Sequence, residues 1–157
     1  MATLNLSSLR VENEDRLIAE ALNILKNRIA GSKFRIDGPD DINNFLLLKL
    51  GMLKREHFGC LFLDSQNFVL CFETMFMGTT AVCTIHPREV LKRALVLNAC
   101  AVVLVHNHPS CQLEPSGTDR EMTIALEAIL NLGDVLLIDH IIVAGSELYS
   151  MRQHGDF

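Results

Sequence analysis

AVVLVHNHPSCQLEPSGTD, residues 101–119, is the stretch that decides the fold. Its first five residues, Ala101–Val105, form a continuous apolar run, the pattern of a short strand buried on both faces. Pro109 prevents that strand from continuing as an ordinary ladder member. A helix is expected from about Gly117 to Leu132, with Met122 and Leu126 on its apolar face and Gly133 as its stop. A second apolar segment, Val135–Ala144, reads as the next strand. A buried strand, a helix and another buried strand in succession point to a sheet covered by helices.

Working upstream, His57–Leu63 and Phe68–Phe76 flank Asp64-Ser65-Gln66-Asn67, turn chemistry that predicts a β-hairpin, with Gly78 breaking its second strand. His86-Pro87 opens a helix with proline at its first position, striped by Val90, Leu91, Ala94 and Leu95, and His86 is the expected cap. A short helix capped by Asp40 or Asp41 runs to Gly51. Glu12–Ala30 places Leu17, Ile18, Ala21, Leu22, Leu25 and Ile29 at helical spacing ahead of Gly31, and Gly31–Pro39 reads as a connector. The expected organisation is therefore an N-terminal helical extension and connector at 1–39 and an α/β domain, a mixed sheet flanked by helices, at 40–157.

Composition narrows the class. Hydrophobic residues are 49% of the chain and charged residues 21%, the balance of a globular domain. No apolar run is long enough to span a bilayer, and MATLNLSSLRVENED lacks the basic-then-apolar pattern of a signal peptide. Five cysteines, with no C-x-x-C pair, are expected to be free thiols, four of them (Cys60, Cys71, Cys83 and Cys100) buried in apolar runs. A reducing cytoplasm is the expected location. Residues 1–55 carry 9 Lys+Arg against 7 Asp+Glu, and residues 56–157 carry 5 against 12. A nucleic-acid surface needs clustered cations, so direct nucleic-acid binding is not expected.

His106 and His108 stand two apart at a strand end, where alternate side chains point the same way and two imidazoles can face one point, with Asn107 turned away. Asp119 falls in the first turn of the following helix, on the face that carries Met122 and Leu126. An ionised carboxylate on an inward face is costly unless paired or bound to a cation. Two imidazoles and a carboxylate, with water in the fourth place, make a tetrahedral catalytic zinc arrangement. A lone H-x-H is a weak signal, and Ser116-x-x-Asp119 has a plain reading as a helix cap with an acidic third residue. Their combination, with Pro109 at its fixed place, is rarer by far than either part, and a capped helix start can also present a ligand.

The pattern H-x-H-P-x(6)-S-x(2)-D resembles the JAMM (MPN+) metalloprotease motif. The segments EHFGCLFLD (56–64), FMGT (76–79), HPREVLKRA (86–94), VHNHPS (105–110) and DHIIV (139–143) resemble the RadC-like branch of that clan, over about residues 40–157. The resemblance implies a JAB/MPN fold of the cytidine-deaminase-like kind and the short form of the family, without an N-terminal helix-hairpin-helix region. It implies that Glu56 faces the water activated by the metal and moves its proton, although a glutamate after Lys54-Arg55 also reads as a solvated acid. It implies that Ser116 supports the developing oxyanion, a role that competes with capping for one hydroxyl. One departure is Cys111, where the family usually has glycine: a thiol there is positioned to compete for the metal, and the loop is strained if its φ is positive. His57 reads as a strand residue, His140 as a structural residue or a support for a ligand, and His154 as part of a mobile tail.

The reading that follows is a zinc-dependent hydrolase acting on a peptide or isopeptide-like amide bond of an unidentified peptide or protein. The alternative is an accessory protein of DNA repair or of a mobile element that acts by binding, with a non-catalytic metal site. A chain that keeps the fold without turnover is a third possibility, resting on Cys111 alone.

Overall fold

The computed structural model describes residues 6–31, 34–38, 40–78 and 84–157. Cys83, Thr79, the connector positions 32, 33 and 39, and the side chains of Leu25 and Ile29 lie outside the described residues. Among the described residues ten elements follow one another: α1 (Leu6–Gly31), α2 (Asp40–Leu50), β1 (His57–Leu63), β2 (Val69–Met77), α3 (Pro87–Val96), β3 (Ala101–Asn107), α4 (Gly117–Leu132), β4 (Leu136–Ala144), β5 (Glu147–Ser150) and α5 (Met151–His154). The strands form one mixed sheet in the order β2-β1-β3-β4-β5. Among the described strands only β3 and β4 run parallel, joined through α4; the other neighbours are antiparallel.

The apolar run of β3 is fully buried because it is the middle strand and both sheet faces are covered. The pleat sorts its side chains. Ala101, Val103 and Val105 join Leu61, Leu63, Ile141 and Val143 beneath α2, which contributes Ile42, Phe45, Leu46 and Leu50. Val102 and Leu104 join Phe58, Cys60 and Phe62 on the opposite face, beneath Val90 and Ala94 of α3 and Leu126 and Leu130 of α4. Truncating any of the fully buried leucines to alanine costs about 2–5 kcal/mol by lost transfer energy and residual cavity.

Local chemistry explains the element ends. Asp64 Oδ1 accepts from the backbone N–H groups of Gln66 (2.8 Å) and Phe68 (3.0 Å), and Asn67 takes the left-handed conformation (φ 63°), closing the expected hairpin. Pro87 opens α3 and Gly133 caps α4, as the sequence suggests. Gly51, directly after α2, packs against the turn between β4 and β5. A Cβ there would sit 2.5 Å from the Gly145 carbonyl oxygen, so only glycine fits.

The structure departs from expectation in five places. α1 begins at Leu6, not Glu12, and Leu17 of its stripe is 62% exposed while Leu22 packs on the core: a helix at the domain margin buries a narrower stripe than its periodicity offers. Residues 34–36 of the connector lie beside the β2 end of the sheet, with Arg35 bridging to Phe68 and Val69 donating to the Phe34 carbonyl (2.8 Å). His86 stands at the N-cap of α3 without a side-chain capping bond and instead meets the edge of Phe76. Cys60 is buried, but Cys71 is half-buried and Cys100 is exposed. The expected mobile tail folds into β5 and α5: His154 stacks on Tyr149 with centroids 4.0 Å apart, and Gly155 closes the turn at φ 74°. Among the described residues no helix is long and apolar enough to cross a membrane.

Candidate metal centre

His106 continues the β3 parity of Val102 and Leu104, which aims its ring toward the α4 face; it is 6% exposed. His108 lies just beyond β3, and its N–H still donates to the Val143 carbonyl (2.9 Å), so the ladder holds its backbone before Pro109 ends it. The Nε2 atoms of the two rings are 2.8 Å apart. Asp119, on the first turn of α4, places Oδ1 3.4 Å from His106 Nε2 and Oδ2 3.6 Å from His108 Nε2. One ligand-type atom from each residue lies within 4.8 Å of the others.

Each group is held from behind. His108 Nδ1 meets the Gln112 carbonyl oxygen at 2.6 Å, and a carbonyl only accepts, so Nδ1 carries the proton. His106 Nδ1 lies 2.8 Å from His140 Nε2. Ser116 and Asp119 form a reciprocal capping box: Ser116 Oγ accepts from the Asp119 N–H (3.1 Å), while Asp119 Oδ2 accepts from the Ser116 N–H (2.7 Å) and from its hydroxyl (2.6 Å). Capping therefore orients the carboxylate that faces the two rings. The same arrangement commits the Ser116 hydroxyl proton to Asp119.

Electrostatics follow from this packing. Burial pushes His106 down to about 4, keeping the ring neutral. His108 moves the other way, raised first by its hydrogen bond to Asp119 against the effect of burial. Burial alone would raise the Asp119 carboxyl, but hydrogen bonds from His108 and Ser116 and the proximity of His106 hold it well below the usual carboxylate range. Glu56 is raised by burial, with His108 opposing and Asp119 reinforcing the shift.

Glu56, His106, His108 and Asp119 line one cavity of about 600 Å³, with an apolar wall of Phe58, Ile85 and Met122. No lysine or arginine is among the described residues that line it. Glu56 is held through its neighbours. Asn107, turned to the α2 face, accepts from the His57 N–H (2.8 Å) and donates to the carbonyls of Arg55 (3.0 Å) and Leu53 (3.2 Å), and Gly78 N–H donates to the Glu56 carbonyl (2.8 Å). Cys111 takes φ 58°, the strained conformation expected of a non-glycine residue there. Its sulfur does not line the cavity but faces Gly145, so competition for a metal has no structural basis.

The fold brings the five expected site residues to one cavity, and of what supports them the sequence pointed to His140, which meets His106, and missed the others. Asn107 as the holder of the Glu56 segment and Gln112 as the partner of His108 carry no local signal. Thr123, one turn after Asp119, is the exception: a polar residue on the buried stripe of α4 marks itself.

A mixed sheet flanked by helices, with two imidazoles and a carboxylate gathered at the end of its middle strand, defines an α/β protein with a group compatible with a metal site. The family profile described as "RadC-like JAB domain" matches residues 36–156, and the chain belongs to that family. It is 41% identical over 140 residues to the UPF0758 protein YkfG of Escherichia coli, covering 89% of each chain. It is 41% identical over 142 residues to the UPF0758 protein YeeS of the same organism, covering 90% of this chain and 96% of the relative. A UPF0758 protein of Stutzerimonas stutzeri is 45% identical over 120 residues, and there the match spans 76% of this chain but 54% of the longer relative.

Proposed function

We propose that this protein is a zinc-dependent hydrolase that cleaves an amide bond of a peptide or protein, in the manner of a metallopeptidase or isopeptidase. The observation that carries the reading is the donor set: Nε2 of His106, Nε2 of His108 and a carboxylate oxygen of Asp119 face one another, and the far side of each group is already hydrogen-bonded. Two neutral imidazoles with lone pairs 2.8 Å apart beside a carboxylate repel unless a proton or a cation lies between them. Nitrogen and oxygen donors in a group of three with one open side suit zinc. A bound zinc ion supplies Lewis acidity that makes water a nucleophile near neutral pH.

The chain's own residues do the rest. Glu56, its affinity for a proton raised by burial, takes a proton from the attacking water and passes it to the leaving nitrogen. Ser116 serves as the donor to the oxyanion, worth a few kcal/mol in comparable sites, which requires its hydroxyl to exchange Asp119 for substrate during turnover. The apolar wall and the acidic rim, without a cationic side chain among the described lining residues, suit a neutral or basic peptide segment better than a polyanion. Exposed free thiols at Cys100 and Cys111 support work in a reducing compartment such as the cytoplasm.

Elemental analysis of protein purified without added metal tests the centre: one equivalent of zinc is expected, lost in His106→Ala and in Asp119→Ala. Glu56→Gln is expected to keep the zinc and lower peptide-bond hydrolysis by roughly 10²–10⁴-fold. Wild type and both ligand variants equally free of metal would remove the basis of the reading.

A further inference from the structure

We infer that Thr123 and His140 are positioning residues that lock the tautomer of His106, and that the lock is set by the backbone carbonyl of Asp119. This deepens the proposed function, since it takes His106 Nε2 as a ligand nitrogen. Four residues are linked in series by three contacts. Thr123 Oγ1 lies 2.6 Å from the Asp119 carbonyl oxygen and 2.6 Å from His140 Nδ1. His140 Nε2 lies 2.8 Å from His106 Nδ1, and His106 Nε2 faces His108 and Asp119.

Only one end of this chain is chemically fixed, and it decides the rest. A backbone carbonyl can only accept, so at 2.6 Å the single Thr123 hydroxyl proton belongs to Asp119. The Met151 sulfur, 3.8 Å from the same oxygen, accepts only weakly and does not take the proton away. Thr123 Oγ1 therefore has lone pairs to offer His140 and must receive a proton from Nδ1. Full burial of His140 disfavours a second ring proton, leaving Nε2 as an acceptor. His106 must then donate from Nδ1, and its remaining lone pair, on Nε2, points into the metal group. Reversing any one bond would leave two acceptors facing each other at 2.6–2.8 Å inside the protein.

The device differs from the direct carbonyl contact that orients His108. Here one ligand residue prepares another: the helix turn that carries the Asp119 carboxylate also supplies, through its own main chain, the polarity that leaves His106 ready to bind. Removing the hydroxyl frees His140 to carry its proton on Nε2, which would force the His106 proton onto the ligand nitrogen.

Thr123→Val, nearly isosteric and lacking the hydroxyl, and Thr123→Ser, which keeps it, separate this role from packing. Zinc affinity of the full chain is measured by competition with a chromophoric chelator, and the position of the His106 ring proton by nitrogen-15 NMR of the metal-free protein. The expected result is a loss of affinity of roughly 10–100-fold in Thr123→Val with retention within about threefold in Thr123→Ser. The His106 proton is expected on Nδ1 in wild type and in Thr123→Ser, and on Nε2 for part or all of the Thr123→Val population. Wild-type His106 protonated on Nε2 alone, or equal tautomers in all three proteins, overturns the inference. A folded wild type that binds no zinc but shows the expected tautomers refutes the metal reading and leaves the lock standing.

Discussion

Replacing Asn107 with aspartate changes the side chain by one group, an amide nitrogen to a carboxylate oxygen, at a position 2% exposed. The retained oxygen can still accept from the His57 N–H, but the new one faces the carbonyls of Leu53 and Arg55, to which the amide had donated. The side chain can escape that repulsion by remaining protonated. Holding an ordinary aspartate neutral at pH 7 costs about 4 kcal/mol. A protonated acid regains only one of the two donated bonds, and the other is worth about 1 kcal/mol. The expected destabilisation is thus about 5 kcal/mol at pH 7, falling to about 2.5 kcal/mol at pH 5, where neutralisation costs roughly 1.5 kcal/mol. Urea unfolding of metal-free Asn107→Asp against wild type at the two pH values measures both numbers. A difference below about 1 kcal/mol at pH 7, or one that does not shrink on acidification, would refute the claim that Asn107 holds the Glu56 segment through its two donated bonds.

Two further outcomes are expected. Cys111→Gly relieves a left-handed residue of a cost of about 1 kcal/mol, partly offset by the greater freedom of an unfolded glycine, so calorimetry should show a melting temperature unchanged or slightly raised and metal content should not change. In the metal-free protein, His106, lowered to about 4 by burial, and His140, lowered well below its ordinary value by burial, resist protons that the unfolded chain accepts below about pH 6.5. Stability should therefore fall as pH drops from about 6.5 toward 4, by about 3 kcal/mol from His106 alone. His108, raised by Asp119, acts in the opposite sense, its contribution full below pH 6.5 and lost as pH rises through its folded value. An unfolding free energy flat across the acid window would contradict the burial of the two neutral rings.

The central strands, the hairpin and α4 were legible because each carries its own signal: an unbroken apolar run, an Asx turn, a capping box with a glycine stop. β5 and α5 were not. ELYS has two apolar residues in four and becomes a strand only by pairing with β4, and the tail is held by contacts far away in sequence, Arg120 to Asp156 (2.7 Å) and Arg152 to Glu127 (2.9 Å). The strand order was equally hidden, because nothing local says that β1 must lie between β2 and β3. At the site, His106 and His108 were readable through the two-residue period of a strand and Asp119 through the helix start. Behind them His140 was readable as a support, but the contacts of its ring with His106 and Thr123 exist only once β3, β4 and α4 are side by side.

Alternation along β3 constrains its length more than its composition. Its apolar members are interchangeable in kind, so substitution among them is tolerable, but a single-residue deletion within 101–105 is not. The frame would advance by one: Asn107 would turn to the cavity and His108 to the α2 side. Pro109 would arrive where an N–H must reach the Val143 carbonyl, and it has none to give. The packing tolerates a change of apolar residue in this strand but not a change of its length.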